Sequence, residues 1–452
     1  PCRHTLCRRA PLREGGGAAA PPGRYILPVM TPSPAAPPAA PRHDPYAALA
    51  IPAFRRFVVS LLTMTVATQV QAVVVGWLIY QATRDPLALG LIGLAEVIPY
   101  IGVALVAGYV VDRNDRKRIS VLALVVLTLA SAALLTFTLL SSAPDRIWPY
   151  YAVIATCGVA RSFLQSSRSA LVSEIVPREH FANAATWRSS TWQLGTVLGP
   201  ALGGVAFAAV GAKVTFAVNV ALNLVALWAM VGIRHTPTRL SVGAESIRKT
   251  LADGVRFVRS QRIILAALTL DMLAVFFGGA VALMPVFATE ILGVGPRGVG
   301  MLQAAPGVGA VLMAIVVAHR PPFQRAGRAL LVAVTIFGVA TIGFALSTSF
   351  PLSLALLVIS GAADNVSAVI RATLIQVLVP AHMLGRISAV NAIFIGSSNE
   401  LGAFESGVAA RLFGTVASVV IGGTMTLGVV AATAWRVPAL RQLRRIEAPP
   451  RD

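Results

Sequence analysis

The feature that constrains this chain most is a series of twelve apolar segments, each near the ~20 residues that a helix needs to cross a bilayer. Only 12% of the residues are charged, against roughly 25% in soluble domains. These segments therefore predict an all-α integral membrane protein. They lie at Phe54–Tyr80, Leu87–Val110, Arg118–Leu140, Ile147–Leu171, Asn183–Val210, Val214–Ile233, Ile263–Leu292, Gly298–Ala318, Ala329–Ser347, Leu352–Leu378, Ile387–Phe413 and Thr415–Trp435.

Positive charge is concentrated in alternate connections between these segments. The formal net charge of +20 could suggest nucleic-acid binding, but the Lys and Arg residues sit in short stretches between apolar runs. The positive-inside rule explains such a pattern. We therefore expect no nucleic-acid partner, and a multi-pass protein of the bacterial cytoplasmic (inner) membrane with both termini in the cytoplasm.

The series divides the chain into five regions. The first is a basic, Pro- and Ala-rich tail that we expect to be disordered, and residues before Met30 are a candidate gene-start artefact. Between the sixth and seventh segments, Ile247, Leu251, Val255 and Val258 recur at helical spacing, which favours an amphipathic helix on the membrane surface over a solvated linker. The regions are the tail 1–50, a six-helix lobe 51–233, the linker 234–262, a second six-helix lobe 263–436 and a basic cytoplasmic tail 437–452.

Several functional classes lack their sequence signatures. The cysteines, Cys2, Cys7 and Cys157, form no CxxC pair, and the six histidines form no i, i+4 pair, so we expect no metal and no cofactor. Neither a nucleophile–base pair nor a phosphate-binding loop of the Walker A type is evident. An enzyme and an ATP-driven pump are therefore both disfavoured.

The two halves of the chain match at a constant offset of 203 residues. Gly158, Arg168, Leu171 and Pro177 fall on Gly361, Arg371, Leu374 and Pro380, and Gly199 and Gly204 fall on Gly402 and Gly407. Parallel six-helix repeats are the sequence footprint of a two-lobed transporter.

Two motifs then make a family resemblance specific. The turn after the second segment resembles the loop signature of the major facilitator superfamily, with Asp115 where the family often has Gly. The fifth segment resembles the superfamily's antiporter motif. The loop residues are Gly108, Asp112, Arg113, Arg116, Lys117 and Arg118, and the antiporter residues are Gly195, Gly199, Pro200, Gly203 and Gly204. The phrase Thr83–Gly90 is similar to bacterial exporters like the enterobactin permease.

The resemblance implies roles for both motifs. Asp112 ends a helix, where an anion needs a positive partner. The family places this aspartate at the start of helix eleven, here Arg386–Ile387, with Arg113, Arg116 and Arg168 as candidate partners. The alternative is a solvated residue that sets topology. The second half's equivalent turn, near His319 to Arg328, lacks the aspartate.

The glycines at 195, 199 and 203 share one helical face and permit close helix packing. The family packs this helix against helix eight, and there the motif marks exporters. Ordinary small-residue packing is the alternative reading.

Ionisable residues inside apolar segments are functional candidates because burying them is costly. They are Glu96, Arg161, Asp271, Asp364, Glu400 and Glu405. Arg161 and Asp364 differ by the repeat offset, so we expect them to pair in one conformation and separate in another, unless each satisfies local polar groups. A desolvated carboxylate can exchange a proton near neutral pH, which makes Asp271 and Glu96 candidate proton carriers. A fixed structural charge is the alternative for both.

Together these features predict a monomeric, proton-coupled efflux transporter that works by alternating access. Its expected partners are the lipid bilayer, protons and a small amphipathic organic molecule such as a drug or siderophore. An importer or uniporter of a small metabolite on the same fold is the alternative, and a non-transporting sensor is disfavoured because the buried charges are present.

Overall fold

A computed structural model describes residues 44–140, 147–234, 256–321, 323–380 and 383–444. Most of the tail 1–50 and most of the expected amphipathic helix, including Ile247, Leu251 and Val255, lie outside these ranges. Residues 256–260 at the end of that segment are helical.

The described residues are almost all helical, and short turns connect the helices. Every predicted apolar segment coincides with helical structure to within a few residues at each end. The first four helices are α1 Pro52–Thr83, α2 Pro86–Arg113, α3 Arg116–Leu140 and α4 Trp148–Ile175. A single helical run follows at Phe181–Val231, but Gly211 interrupts it with φ 75° and ψ 177°. Glycine adopts positive φ without steric penalty, so we label the parts α5 (181–210) and α6 (212–231).

The second half begins with an irregular helix. α7 runs over Arg262–Gly278 and is followed by a 3₁₀ turn at Ala280–Leu283, a single turn at Met284–Val286 and a π-turn at Phe287–Ile291. Pro285 lacks an N–H and its ring clashes with the preceding turn, which explains why regular α geometry does not continue. The later helices are α8 Gly295–Ala318, α9 Ala326–Leu346, α10 Phe350–Leu378, α11 Leu384–Phe413, α12 Thr415–Arg436 and α13 Pro438–Gln442.

Nine helices of the described residues are long and apolar enough to cross a membrane. α4 and α11 are also of spanning length, but they carry more charged and polar residues. In α4 these include Arg161, Arg168 and Glu174. Large apolar side chains such as Leu129 and Trp228 are exposed on the outside, which suits contact with lipid rather than water.

The packing positions the interior charges. In the first half, α1 lies along the α5–α6 run and α2 packs on α4. In the second half, α8 packs on α10, and α7 contacts α11 and α12. The two most extensive contacts between the halves are those of α2 with α11 and of the α5–α6 run with α8.

Candidate functional site

The first charged cluster lies where α2 meets α4. Arg161 forms an ion pair with Glu96, and each side chain is only about a fifth exposed. Gly158 makes the approach possible, since a Cβ there would lie 2.4 Å from the Glu96 carbonyl oxygen. The ion pair therefore depends on a glycine one turn before the arginine.

A third charge reaches this cluster from the other half of the chain. Glu400 of α11 lies within electrostatic range of both Arg161 and Glu96. Its Oε2 atom would be 3.2 Å from a Cβ built on Gly93, one turn before Glu96 in α2. Two carboxylates and one guanidinium, drawn from α2, α4 and α11, thus share one site.

A polar network fixes the helices around this cluster. Ser131 of α3 donates to Gln71 of α1 at 3.3 Å, and Asn223 of α6 donates to Ser131 at 3.0 Å. The Gln71 amide also donates to Cys157 Sγ at 3.7 Å. All four residues are buried. These side chains bridge α1, α3, α4 and α6, and Cys157 lies one turn before Arg161 in α4.

The second charged cluster lies between α7 and α10. Arg371 pairs with Asp271 at 2.7 Å, and both side chains are 7% exposed. Ser367 donates to Asp271 at 3.5 Å and accepts from the Arg371 Nε atom at 3.4 Å. Asp364, one turn before Ser367, lies within electrostatic range of both charged partners. Again two carboxylates share one guanidinium.

A small space of about 10 Å³, room for about one water molecule, lies beside this cluster. Asp271, Asp364 and Ser367 supply its polar wall. The remaining wall is apolar and includes Phe337 of α9 and Val275 of α7. The space places two carboxyl groups against an otherwise apolar lining.

The expected pair between Arg161 and Asp364 is not formed in this structure. Arg161 is matched by Glu96, and Asp364 faces Arg371 and Asp271. Each charge has an opposite charge within its own half: Glu96 contacts Arg161 directly, and Arg371 lies within electrostatic range of Asp364. Sequence reasoning named Arg371 only as a repeat match. Its spacing of seven residues from Asp364, two helical turns, was the signal that both share a face.

The loop motif is organised differently from the expectation. Arg116 is buried and pairs with Glu174 of α4 at 2.9 Å, and the guanidinium of Arg113 lies over the Tyr109 ring at 4.1 Å. Asp115 accepts from the Lys117 backbone N–H at 2.9 Å and from that of Arg118 at 3.3 Å. An acidic residue thus caps the start of α3, which explains its presence in place of glycine.

Asp112 itself is exposed. Within the described residues it has no ion pair: Arg116 pairs with Glu174, Arg113 lies over Tyr109, and Arg168 contacts only the Met64 sulfur. The side chain of Arg386 lies outside the described residues. Sequence reasoning missed Glu174. It lies at the end of α4, and nothing in the sequence around it indicated that it would be buried against Arg116.

The antiporter glycines pack mainly on α1 rather than on α8. A Cβ at Gly199 would lie 2.4 Å from the Gln69 Cβ, and one at Gly195 would lie 2.7 Å from the Thr65 Cγ2. Gly203 likewise faces Val70 of α1. Helix five does pack on α8, as expected, but these three glycines do not make that contact, because α1 lies along their face for most of the length of α5.

Contact with α8 is made instead by Gly204 and its neighbour Pro200. A Cβ at Gly204 would lie 2.7 Å from the Gly300 Cα, and one at Gly300 would lie 2.5 Å from the Pro200 carbonyl oxygen. The repeat mate of Gly204 makes the corresponding contact, since a Cβ at Gly407 of α11 would lie 2.8 Å from the Gly90 Cα of α2. The two contacts that join the halves are thus related by the sequence repeat.

Polar contacts reinforce the joint at the end of the molecule opposite the loop motif. Asp85, before α2, pairs with Arg411 of α11 at 3.0 Å. Tyr80 of α1 donates to Glu290 in the last turn of the broken α7. Glu405 of α11 is partly buried beside Ser406 and has no ion pair to another residue of the described ranges. No group of three metal-ligating side chains occurs among the residues that the structure covers.

Comparison with known proteins places this geometry in context. A family model described as a transmembrane secretion effector matches residues 43–450. The multidrug efflux pump Tap of Mycolicibacterium fortuitum is 25% identical over 396 residues, which cover 84% of this chain and 95% of the relative. The enterobactin exporter EntS of Citrobacter koseri is 25% identical over 401 residues, with 88% and 94% covered.

Solved structures with little sequence identity share the fold. A bacterial homologue of the human lysosomal transporter Spinster, inward-facing and unoccupied, has a TM-score of 0.67 at 16% identity and covers 88% of this chain and 98% of its own. The nucleoside transporter NupG has a TM-score of 0.67 at 9% identity, with 85% and 99% covered. At such identities the likeness concerns the fold alone.

Proposed function

The chain belongs to the transmembrane secretion effector family of the major facilitator superfamily, and from that premise we propose that it exports a small amphipathic organic molecule in exchange for protons. The proposal includes twelve spanning helices in two six-helix lobes, α1–α6 and α7–α12. It also includes cytoplasmic termini and a loop motif on the cytoplasmic side.

The observation that carries this proposal is the repeat-related pair of contacts between the halves. Gly204 on Gly300 and Gly407 on Gly90 bring backbones together at symmetry-equivalent positions. Packed small-residue contacts can separate and re-form without unpaired polar groups. Two such contacts, related by a pseudo-two-fold axis, suit lobes that rock about a central site.

In this scheme the contacts of α2 with α11 and of α5 with α8 open when the lobes tilt. Opening also breaks the Asp85–Arg411 pair, an exposed contact worth roughly 0–1 kcal/mol. Glu400 then moves away from Arg161, while Glu96 and Arg161 stay together in one lobe. The charge environment of Glu400 thereby depends on the conformation, which is the requirement for coupling.

Protons are the proposed coupling ion because each charged cluster has one carboxylate more than it has guanidinium groups. Binding one proton makes either cluster neutral, which lowers the cost of keeping it away from water. In the first cluster the proton carrier is Glu96 or Glu400. In the second it is Asp271 or Asp364, and the adjoining space gives access to the carboxyl groups.

The proposed substrate class follows from the relatives and from the chemistry of the site. A multidrug efflux pump and an enterobactin exporter are both similar to this chain over most of its length. In this structure the space beside Asp271 and Asp364 holds no more than a water molecule, so the substrate would meet these carboxyl groups and the apolar side chains of Phe337, Val334 and Val275 only after the helices move apart.

A substrate screen tests the proposal. Compounds would be measured for accumulation in a strain that lacks the gene and in the same strain with the gene restored, with and without a protonophore. Export predicts lower accumulation in the restored strain and loss of that difference when the protonophore is added. Higher accumulation in the restored strain would favour the alternative, an importer or uniporter.

A further inference from the structure

Arg168 of α4 is a partly buried cation that forms no ion pair within the described part of the chain. Its Nη1 atom contacts the Met64 sulfur of α1 at 2.8 Å. Its Nε atom is buried and has no hydrogen-bond partner. A thioether sulfur is a weak acceptor, so this contact cannot balance a guanidinium charge.

The second half of the chain shows what this position lacks. Arg371, the repeat mate of Arg168, pairs with the Asp271 carboxylate at 2.7 Å. Met64 and Asp271 are 207 residues apart. The same spacing separates Gln69, on which Gly199 packs, from Phe276, on which the repeat mate Gly402 packs. Met64 therefore occupies the place on α1 that Asp271 occupies on α7.

The charge nearest to Arg168 makes the imbalance larger. Arg188 of α5 acts on Arg168 electrostatically and has the same sign. Its side chain is exposed. Two guanidinium groups thus lie within electrostatic range of each other where the other half has an ion pair, and a charge removed from water without a counter-charge is costly. An anion bound between them would remove that cost.

We propose that Arg168 and Arg188 form an anion-binding subsite that receives the carboxylate or phosphate group of the transported molecule. The inference rests on the proposed function and adds a negative charge to the substrate class. A guanidinium binds such a group with two parallel hydrogen bonds, and here Nη1 exchanges the Met64 sulfur for an oxygen. An anionic lipid headgroup offers the same chemistry from a second source.

Anisotropy of fluorescein, a soluble dianion, measures this binding on the purified full-length protein in an uncharged detergent. The cationic dye rhodamine 6G is the comparison probe. Fluorescein should bind to the wild type, and Arg168→Met should weaken it by about tenfold or more, the loss of one charge-assisted contact. Rhodamine 6G affinity should not fall in this variant.

Met64→Asp is the decisive second variant, because it rebuilds in α1 the carboxylate that neutralises Arg371 in the other half. It should weaken fluorescein binding as strongly as Arg168→Met while the protein keeps its elution volume and melting temperature. Arg441→Met on the exposed α13 is the matched control and should bind as the wild type does. Absence of fluorescein binding to the wild type, or equal affinity in all four proteins, would overturn the proposal.

A lipid titration separates the two sources of the anion. Phosphatidylglycerol added to the micelles should displace no more fluorescein than phosphatidylcholine does. Selective displacement by phosphatidylglycerol would overturn assignment of the subsite to the transported molecule. Because binding needs no gradient, a failed binding test with intact protein-dependent export removes only this inference and leaves the proposed function standing.

Discussion

Arg161 of α4 is held by Glu96 of α2 in its own half of the chain, while Glu400 approaches the pair from the other half. The close approach of α2 and α4 requires glycine at position 158, because a Cβ there would lie 2.4 Å from the Glu96 carbonyl oxygen. Removal of one partner from such a site leaves the other charge uncompensated. In the proposed mechanism, Glu400 would lose this neighbouring charge when the two halves move apart.

Exchange of the two charges tests the pair. Glu96→Arg and Arg161→Glu should each lower export by about tenfold or more, corresponding to roughly 1.4 kcal/mol or more of lost interaction. The double variant should recover part of that loss because the opposite charges again meet. Initial export rates at matched protein levels measure both effects, and a double variant no better than either single would refute the pairing.

Gly407 tests whether the contact between α11 and α2 must close. Gly407→Ala adds a Cβ at 2.8 Å from the Gly90 Cα, so the helices must shift apart. We expect export to fall several-fold while the amount of folded protein stays the same. Gly102→Ala is the matched control, since a Cβ there meets nothing within 4 Å. Equal export by both variants would mean that close contact at this point is not needed.

The Asp85–Arg411 pair predicts a crosslink between the halves. On a background without the native cysteines, Asp85→Cys with Arg411→Cys should react with a short bifunctional thiol reagent in the resting protein. Export should stop after the reaction, because α2 and α11 can no longer separate. The same reagent on Asp85→Cys alone is the control. Full export by the crosslinked protein would contradict an opening at this end.

Asymmetry between the two basic turns is a further prediction. Asp112→Asn should weaken export more than any single substitution between His319 and Arg328, because that turn of the second half has no aspartate. Asp112 is exposed in this structure, so its contribution is expected in the other conformation. Comparison of export rates across the set checks this, and equal losses would remove the asymmetry.

The helices were predictable because each apolar segment has a length that the bilayer dictates, and charged turns such as Arg113 to Arg118 mark the ends. The joint between the halves was partly predictable, since Gly204 and Gly407 match in the repeat. Which helix each glycine faces was not. A stripe of small residues predicts a close contact but does not identify the partner helix, as shown by the face of Gly195, Gly199 and Gly203, which packs on α1.

The charge pairs were the least predictable part of the site. Glu96, Arg161, Asp271 and Asp364 stood out because burial of an ionised group is expensive. Which side chains pair depends on the rotation of each helix about its axis by a fraction of a turn. It also depends on close contacts between helices, such as that of α4 with α2 at Gly158. The repeat offset suggested that Arg161 and Asp364 pair across the two halves of the chain, whereas in this structure each lies near an opposite charge of its own half.

Coupling of export to protons is tested most directly in inside-out membrane vesicles with a substrate from the accumulation screen. An imposed gradient, acidic inside, should drive substrate uptake, and addition of substrate should release protons from the lumen. Glu400→Gln should abolish both signals while the substrate still binds. Uptake that is unchanged when the gradient is collapsed would contradict the account.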